Sequence, residues 1–225
     1  MRTALALLLM LHASGTFAQE RDRPMTLSLN GHYGHPLGEF DAAWGKEFGG
    51  VGGNFSTPFH RLPFEGGAQF DWSRMGGESA VVPVQVDHLD ATEGDLEVNC
   101  NTYGFHALMR FKPFTGKVAP YIDGLAGWRT FTTRTKLKVD GAEGPLSNER
   151  NASDAAMSYG WAAGVMVTLG EVFYIEGRYE KLQGEEVTYV DPSSISIDDQ
   201  GAVGYGTRTS NTDVYQIKLG IGFRF

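Results

Sequence analysis

Three observations on the sequence predict an all-β fold, an eight-stranded antiparallel barrel of the up-and-down type. From Met25 onward apolar and polar residues alternate with period two, and no helical period of any length interrupts them. Each alternating segment is roughly ten residues long, the length that a tilted strand needs to cross a bilayer. The connections alternate between short and long, as in a barrel with tight turns at one end and long loops at the other.

The last segment alternates most clearly. Its apolar face consists of Tyr215, Ile217, Leu219, Ile221, Phe223 and Phe225. Its other face consists of Gln216, Lys218, Gly220, Gly222 and Arg224. Segments 157–169 and 173–180 follow the same rule, which also predicts strands near 25–35, 48–58, 64–75, 98–111 and 119–132. The glycines of 48–58 make that strand the least regular, since glycine in a strand marks a bulge or close packing.

The connections follow from these strands. Long connections are expected at 36–47, 76–97, 133–156 and 181–212. Short ones are expected at 59–63, 112–118 and 170–172. This regular alternation predicts that all short turns lie at one end of the barrel.

Composition excludes several classes of protein. The chain has 225 residues, the length of one domain, with 19 basic and 27 acidic residues and a net charge of −8, which argues against nucleic-acid binding. One cysteine excludes an internal disulfide framework. Beyond the N-terminus no run of about 18 apolar residues exists, so a bundle of membrane helices is not expected.

The N-terminus predicts export. Arg2, the apolar run 4–11 and the small-residue end 16–18 are typical of a secretory signal peptide, cleaved after Ala18. We therefore expect a signal peptide at 1–18, a short segment at 19–24 and a barrel domain at 25–225. Cleavage leaves 18 basic and 27 acidic residues, a net charge of −9. Cys100 is then a single thiol in an oxidising compartment, for which a buried structural role is expected.

Alternation alone does not decide whether the apolar face points to lipid or into a soluble barrel. Aromatic residues near strand ends favour lipid, because they match the interfacial girdles of membrane barrels. They are Tyr33, Phe59, Phe64, Trp72, Tyr103, Phe111, Trp128, Tyr159, Phe173, Tyr215 and Phe225. The last alternating segment also runs to the final residue with no polar tail.

The polar faces carry a balanced set of charges. They are Arg110, Arg129, Arg178, Lys218 and Arg224 against Glu65, Asp71, Asp123, Glu176 and Glu180. At mid-membrane a lipid-facing Arg or Lys costs about 2–4 kcal/mol, so in a membrane barrel these charges must line the lumen. An eight-stranded lumen is only wide enough for side chains. We expect the charges, with His32, Asn54, Gln69, His106 and Gln216, to pair and form a polar plug.

Three segments, 119–127, 158–164 and 220–225, resemble strands of the small eight-stranded outer-membrane β-barrel proteins, the class of the OmpA-type transmembrane domain and the OmpX-type barrels. The resemblance implies a monomeric transmembrane barrel in the outer membrane of a Gram-negative-type bacterium. Its short turns would lie in the periplasm and its long loops outside the cell. Outer-membrane lipids and lipopolysaccharide are the implied partners.

The resemblance also implies an assembly signal. In that class a C-terminal aromatic residue on the last strand is read by the barrel-assembly machinery. Phe225 fits this role, with Tyr215, Ile221 and Phe223 in phase with it.

The sequence predicts no enzyme, no cofactor and no metal site. His32 and His35 would lie on opposite faces of one strand, which argues against a shared metal. No Gly-x-Ser-x-Gly motif occurs. Sequence spacing alone also places no serine and acidic residue beside His88 or His106 to complete a catalytic triad. The acidic loop between 76 and 98 lacks the spacing of a calcium loop, so it is interpreted as a solvated face; bridging through divalent ions to lipopolysaccharide is the alternative.

The functional expectation is a structural or surface-interaction role, in adhesion or defence. Segment 130–139 continues to alternate beyond the depth of a membrane, as do Val82, Val84 and Val86 around Pro83. Such strands would project above the membrane, and their exposed edges can recruit a protein partner. Two alternatives stay open: a narrow porin-like channel for ions or small solutes, and a secreted soluble barrel that binds a small apolar ligand.

Overall fold

A computed structural model describes residues 23–60, 62–83, 93–139, 147–190, 194, 196–197, 203–204 and 206–225. Eight strands form a closed antiparallel barrel: β1 (Thr26–Pro36), β2 (Phe48–Pro58), β3 (Phe64–Pro83), β4 (Glu93–Phe111), β5 (Val118–Val139), β6 (Ser147–Leu169), β7 (Phe173–Gly184) and β12 (Val214–Arg224). Each strand pairs with its neighbour in the chain, except that β7 pairs with β12. The predicted fold class is therefore confirmed.

The first and last strands close the barrel. β1 pairs with β2 on one side and with β12 on the other, in a register that places Thr26 opposite Arg224. Backbone hydrogen bonds of 2.9 and 3.1 Å between Met25 and Phe225 continue this ladder. Closure removes the free strand edges that an open sheet would expose along the barrel wall.

The short connections 59–63, 112–117 and 170–172 lie at one end of the barrel, here named the turn end. At the opposite end, the loop end, four strands run further than predicted. β3 reaches Pro83, β4 begins at Glu93, β5 reaches Val139 and β6 begins at Ser147. The ladder continues across all four strands, so much of the loops predicted at 76–97 and 133–156 is strand. Val84 and Val86 lie outside the described residues.

The predicted loops at 36–47 and 181–212 contain further elements. A short helix, α1 (Glu39–Trp44), lies between Gly38 and Gly45, both of which have positive φ. β8 (Glu186–Val190) pairs with β11 (Thr207–Asn211), and β9 (Ser196–Ile197) pairs with β10 (Val203–Gly204). Within the described ranges no helix is long and apolar enough to span a membrane.

Strand β2 packs closely against its neighbours. A Cβ atom on Gly50 would collide with the backbone oxygen of Trp72, and one on Gly52 would collide with the Asp71 carboxylate. These glycines therefore bring β2 close to β3, and the ladder between the two strands runs from Gly49 to Pro58. This close packing explains why the least regular segment of the sequence still forms a strand.

The two faces of the barrel wall differ sharply in polarity. On β12, Leu219 is 70% exposed and Ile221 59% exposed, whereas Gln216 and Lys218 are each 2% exposed. β7 shows the same contrast, since Ile175 is exposed and the neighbouring Glu176 is buried. The apolar face therefore points outward and the polar face points into the lumen. This orientation argues against a soluble barrel with an apolar interior.

Candidate functional site

The lumen contains a chain of buried ion pairs. Arg110 on β4 donates through Nε to Asp123 Oδ1 at 2.9 Å and through Nη2 to Asp123 Oδ2 at 3.1 Å. Its Nη2 also lies 3.4 Å from Glu176 Oε1, and Glu176 accepts a hydrogen bond from the Tyr121 hydroxyl. Arg178 Nη1 lies 2.8 Å from Asp123 Oδ2, the oxygen that also accepts from Arg110 Nη2. Asp123 therefore holds two arginines from two different strands.

Glu180 joins this group to a second one. Its Oε2 lies 3.0 Å from Arg178 Nη2, and its Oε1 lies 3.2 Å from Lys218 Nζ. Lys218 also donates to both oxygens of Asp71 at 2.9 Å, and Gln69 Nε2 donates to Asp71 and Glu180 at 2.6 and 3.1 Å. The charges thus form one connected cluster across β3, β4, β5, β7 and β12, named the lumen network here. It consists of Asp71, Arg110, Asp123, Glu176, Arg178, Glu180 and Lys218.

A separate pair lies toward the turn end. Lys112, one residue beyond β4, forms an ion pair with Glu65 of β3. Ser56 donates to the same carboxylate at 2.7 Å, and its oxygen lies 2.7 Å from that of Thr26. Lys112 was not predicted as a lumen residue, because it lies just past the predicted strand 98–111. Its position two residues after Arg110, on the same face of the alternation, was the available signal.

The other two predicted lumen cations are placed differently. Arg129 is buried, but it donates to the Thr212 carbonyl at 3.1 Å and its guanidinium lies 5.2 Å from the centre of the Phe131 ring. Arg224 is half-buried at the turn end and donates to Thr168 Oγ1 at 3.0 Å. Within the part of the chain that the structure describes, neither arginine forms an ion pair. The ten predicted charges are therefore not joined as five simple pairs.

Among the described residues, the buried charges nevertheless balance. Five buried cations, Arg110, Lys112, Arg129, Arg178 and Lys218, face five buried anions, Glu65, Asp71, Asp123, Glu176 and Glu180. Removing one member of a buried pair leaves an uncompensated charge and destabilises a protein by about 3–5 kcal/mol. The lumen network is thus an interlocked arrangement in which each charge depends on its partners.

An apolar cluster closes the loop end of the lumen. It consists of Phe40 and Trp44 of α1, Met75 of β3, Phe131 of β5 and Tyr189 of β8, and is named the apolar cap here. The Phe40 ring meets the rings of Phe131 and Tyr189 edge-on at 5.8 and 5.9 Å. Trp44 Nε1 donates to the Met75 carbonyl at 3.1 Å. A cavity of about 10 Å³ lies between these side chains, with room for about one water molecule.

Cys100 lies in the wall of the same cluster. It is buried, and its sulfur lies 3.5 Å from the Thr133 hydroxyl. The apolar cap was not predicted, because its members come from segments that are distant in sequence and show no common period.

His32 and His35 lie in different surroundings. His32 is buried in the lumen with Nε2 2.8 Å from Ser73 Oγ, whereas His35 lies at the loop end, 3.7 Å from Asp41. His106 is buried on β4. Among the described residues, no group of three or more His, Cys, Asp or Glu could hold a metal ion.

The outward face carries two levels of aromatic contacts. Near the turn end, Phe64 pairs with Phe111 at 5.3 Å between ring centres. Toward the loop end, Phe105 pairs with Trp128 at 5.7 Å. On β4, Tyr103 lies one step beyond Phe105 on the same face, and Tyr103 and Phe111 are about 27 Å apart along the strand, or roughly 20 Å along the barrel axis for strands tilted by about 40°. This spacing fits the apolar band of a membrane barrel.

The residues of the predicted assembly signal lie on this outward face. Ile221, Phe223 and Phe225 are exposed, and the Phe223 ring lies 5.1 Å from that of Phe173. Tyr215 stacks on Tyr179 at 6.1 Å, at the other end of β12.

No protein-family model matches the sequence, and no curated protein is detectably similar to it. Among solved structures, the chain is similar to Ail, the attachment invasion locus protein of Yersinia pestis, in complex with the heparin analogue sucrose octasulfate. The TM-score is 0.51 at 17% identity, over 91% of this chain and 100% of that one. The chain has the fold of a small eight-stranded outer-membrane β-barrel.

Two further solved structures are similar to this barrel. Neisserial surface protein A gives a TM-score of 0.45 at 10% identity, over 89% of this chain and 97% of that one. A major outer membrane protein from Thermus thermophilus gives 0.48 at 13% identity, over 89% and 99%.

Proposed function

We propose that the barrel is an exported, monomeric outer-membrane protein with a structural or surface-interaction role in adhesion or defence, and that it is neither an enzyme nor an open pore. The observation that carries this proposal is the combination of an apolar outer wall with a lumen filled by buried ion pairs and closed by the apolar cap. The short turns then face the periplasm and the projecting strands face the outside of the cell.

The outer wall supports the membrane location. Soluble monomers rarely expose contiguous apolar patches beyond a few hundred Å², whereas the wall here exposes large apolar side chains around the barrel. Examples from opposite sides are Phe70, Ile122, Trp161 and Leu219. In lipid this surface is the favourable one, and the charges turned inward avoid the cost of facing it.

The closed lumen supports a non-conducting role. A solute would have to separate the Arg178–Glu180 and Lys218–Asp71 pairs and also displace the apolar cap. One observation favours a narrow channel as the second candidate. Several buried lumen atoms have no protein hydrogen-bond partner among the described residues, including both ring nitrogens of His106 and Gln216 Oε1. Buried polar groups are normally satisfied, so water is expected beside them.

The projecting strands supply the surface for interaction. β2 pairs with β3 only as far as Arg74, while β3 continues to Pro83. Among the described strands, the edge 76–83 therefore has β4 on one side and no strand on the other. An edge of this kind can take up an extended segment of a partner protein by strand addition.

Exposed or half-exposed cations lie on the loop-end side of the outward aromatic residues, Arg74 two residues beyond Trp72, and Arg134 and Lys136 six and eight residues beyond Trp128. Arg74 and Arg134 are exposed and Lys136 is half-exposed. Arg74 follows Trp72 by one step on the same face, at the expected depth of lipid headgroups. We propose that these residues contact lipopolysaccharide phosphates. Ail was solved with a sulfated heparin analogue, and an anionic surface sugar is a ligand of the same chemistry for this barrel.

The experiment removes the projecting part of one hairpin and keeps the barrel. Because Gly77 pairs with Asn99, replacing residues 78–98 by an Asn-Gly turn preserves the register. We expect this variant to lose adherence to host cells or to immobilised heparin, while its unheated band still migrates faster than its boiled band. The edge-blocking substitution Val81→Lys tests strand addition, with Val172→Lys at the turn end as its matched control. Adherence that survives in the shortened variant contradicts the proposed role.

A further inference from the structure

The turn end of the lumen contains a small basic cavity. Its volume is about 70 Å³, and its wall includes Arg23, Lys112 and Arg224. The three cations come from three separate segments: the stretch before β1, the turn after β4 and the end of β12. Ala119 and Met166 form an apolar part of the wall. The cavity lies at the mouth opposite the apolar cap.

Neutral groups hold the two arginines in place. Arg23 Nη1 donates to the Lys112 carbonyl at 3.0 Å, and Arg224 Nη1 donates to Thr168 Oγ1 at 3.0 Å. Within the described residues neither arginine forms an ion pair. Each guanidinium has five donors, and one contact leaves most of them available.

The third cation turns partly away. Lys112 forms an ion pair with Glu65 on the lumen side, and Glu65 is not part of the cavity wall. Burial lowers the pKa of Lys112; Glu65 opposes this shift, and the charges of Arg110 and Arg224 add to it. Lys112 and Arg224 both line the cavity, so their charges repel each other. Among the described residues, the cavity wall has three cations and no carboxylate.

We propose that this cavity binds a phosphate group, held mainly by Arg23 and Arg224. Guanidinium groups bind phosphate oxygens through paired, charge-assisted hydrogen bonds, and three cations around one small space favour a divalent oxyanion. The cavity volume of about 70 Å³ is large enough for a single phosphate group. The bound phosphate group is either free phosphate or the headgroup of a phospholipid in the inner leaflet. That this mouth of the barrel faces the periplasm rests on the proposed function; the binding site itself does not.

The test measures binding of inorganic phosphate to the full chain, refolded in a phosphate-free N-oxide detergent, by calorimetry and by the NMR signals of the arginine Nε–H groups. We expect saturable binding that shifts the Arg23 and Arg224 signals. Arg23→Gln and Arg224→Gln should each weaken binding about tenfold, the effect of losing one charged hydrogen-bond partner. Lys117→Gln, an exposed cation of the same turn outside the cavity wall, is the matched control and should change binding less than about twofold.

Arg224→Lys, which keeps the charge, should recover part of the affinity. Arg23→Gln lies outside the strands, so it remains informative if an Arg224 variant fails to fold. Binding of inorganic phosphate is then measured for the barrel in nanodiscs that contain phosphatidic acid, which distinguishes the two sources. If phosphatidic acid competes with inorganic phosphate, the cavity binds a lipid headgroup; if it does not compete, the cavity binds free phosphate. Absence of binding at about 10 mM phosphate, or binding that neither Arg→Gln variant weakens, overturns the proposal. These results do not depend on where the protein lies in the cell.

Discussion

Neutralising Glu180 removes the anion that joins the two groups of the lumen network. Glu180 is completely buried, with Arg178 3.0 Å away on one oxygen and Lys218 3.2 Å away on the other. Gln69 donates to both oxygens at 3.1 Å. Glu180→Gln keeps the shape but removes the charge and turns an amide donor toward two cations. One negative charge is then missing from a balanced set of five cations and five anions.

The expected loss of stability is about 3–5 kcal/mol, the cost of leaving a buried charge without its partner. With a slope of about 2–3 kcal/mol per molar urea, the unfolding midpoint should fall by roughly 1–2 M. The assay is urea unfolding of the barrel refolded in lipid vesicles, followed by tryptophan fluorescence. Glu186→Gln, an exposed carboxylate on β8, is the matched control and should change stability by less than about 0.5 kcal/mol. A midpoint for Glu180→Gln equal to that of Glu186→Gln would refute the interlocked network.

Four further outcomes are expected. Phe40→Ala should cost about 3–5 kcal/mol in the same assay, because Phe40 packs at the centre of the apolar cap; a loss below about 1 kcal/mol would show that the cap is not closely packed. Phe225→Ala should reduce assembly in cells and leave refolding in vitro intact, since its side chain is exposed; normal assembly contradicts a role as the signal. In planar bilayers the wild type should be silent, and steady single-channel steps would favour the channel alternative. The pKa of Lys112 is lowered from 10.5 in the folded protein. Just below pH 10.5 the unfolded chain therefore binds more protons than the folded one, so the free energy of unfolding should rise with pH in that range. Lys112→Met should abolish this rise, as measured by urea midpoints at several pH values.

The eight strands could be predicted because the alternation of apolar and polar residues is present within each strand. Residues 215–225 alternate without interruption, and burial on one face of a strand fixes which residues share that face. The charges on the polar faces were found in the same way, since Glu176, Arg178 and Glu180 occupy every second position of β7. Pattern within a strand was enough to assign these residues to one face.

The connections between strands could not be predicted in this way. Whether Asp123 pairs with Arg110 or Arg178 depends on barrel geometry, and the structure shows that it pairs with both. The apolar cap could not be predicted from sequence periodicity, because α1 is only six residues long and Tyr189 belongs to a different loop. Contacts of this kind are set by where the loops fold over the lumen and have no local signature.

Whether the apolar wall faces lipid is measured by the electrophoretic mobility of the protein extracted from membranes with detergent, compared before and after boiling. We predict that the protein is recovered with outer membranes and that its unheated band migrates faster than its boiled band, as expected for a compact barrel that resists detergent. Recovery in the aqueous fraction, with one mobility before and after boiling, would contradict this prediction.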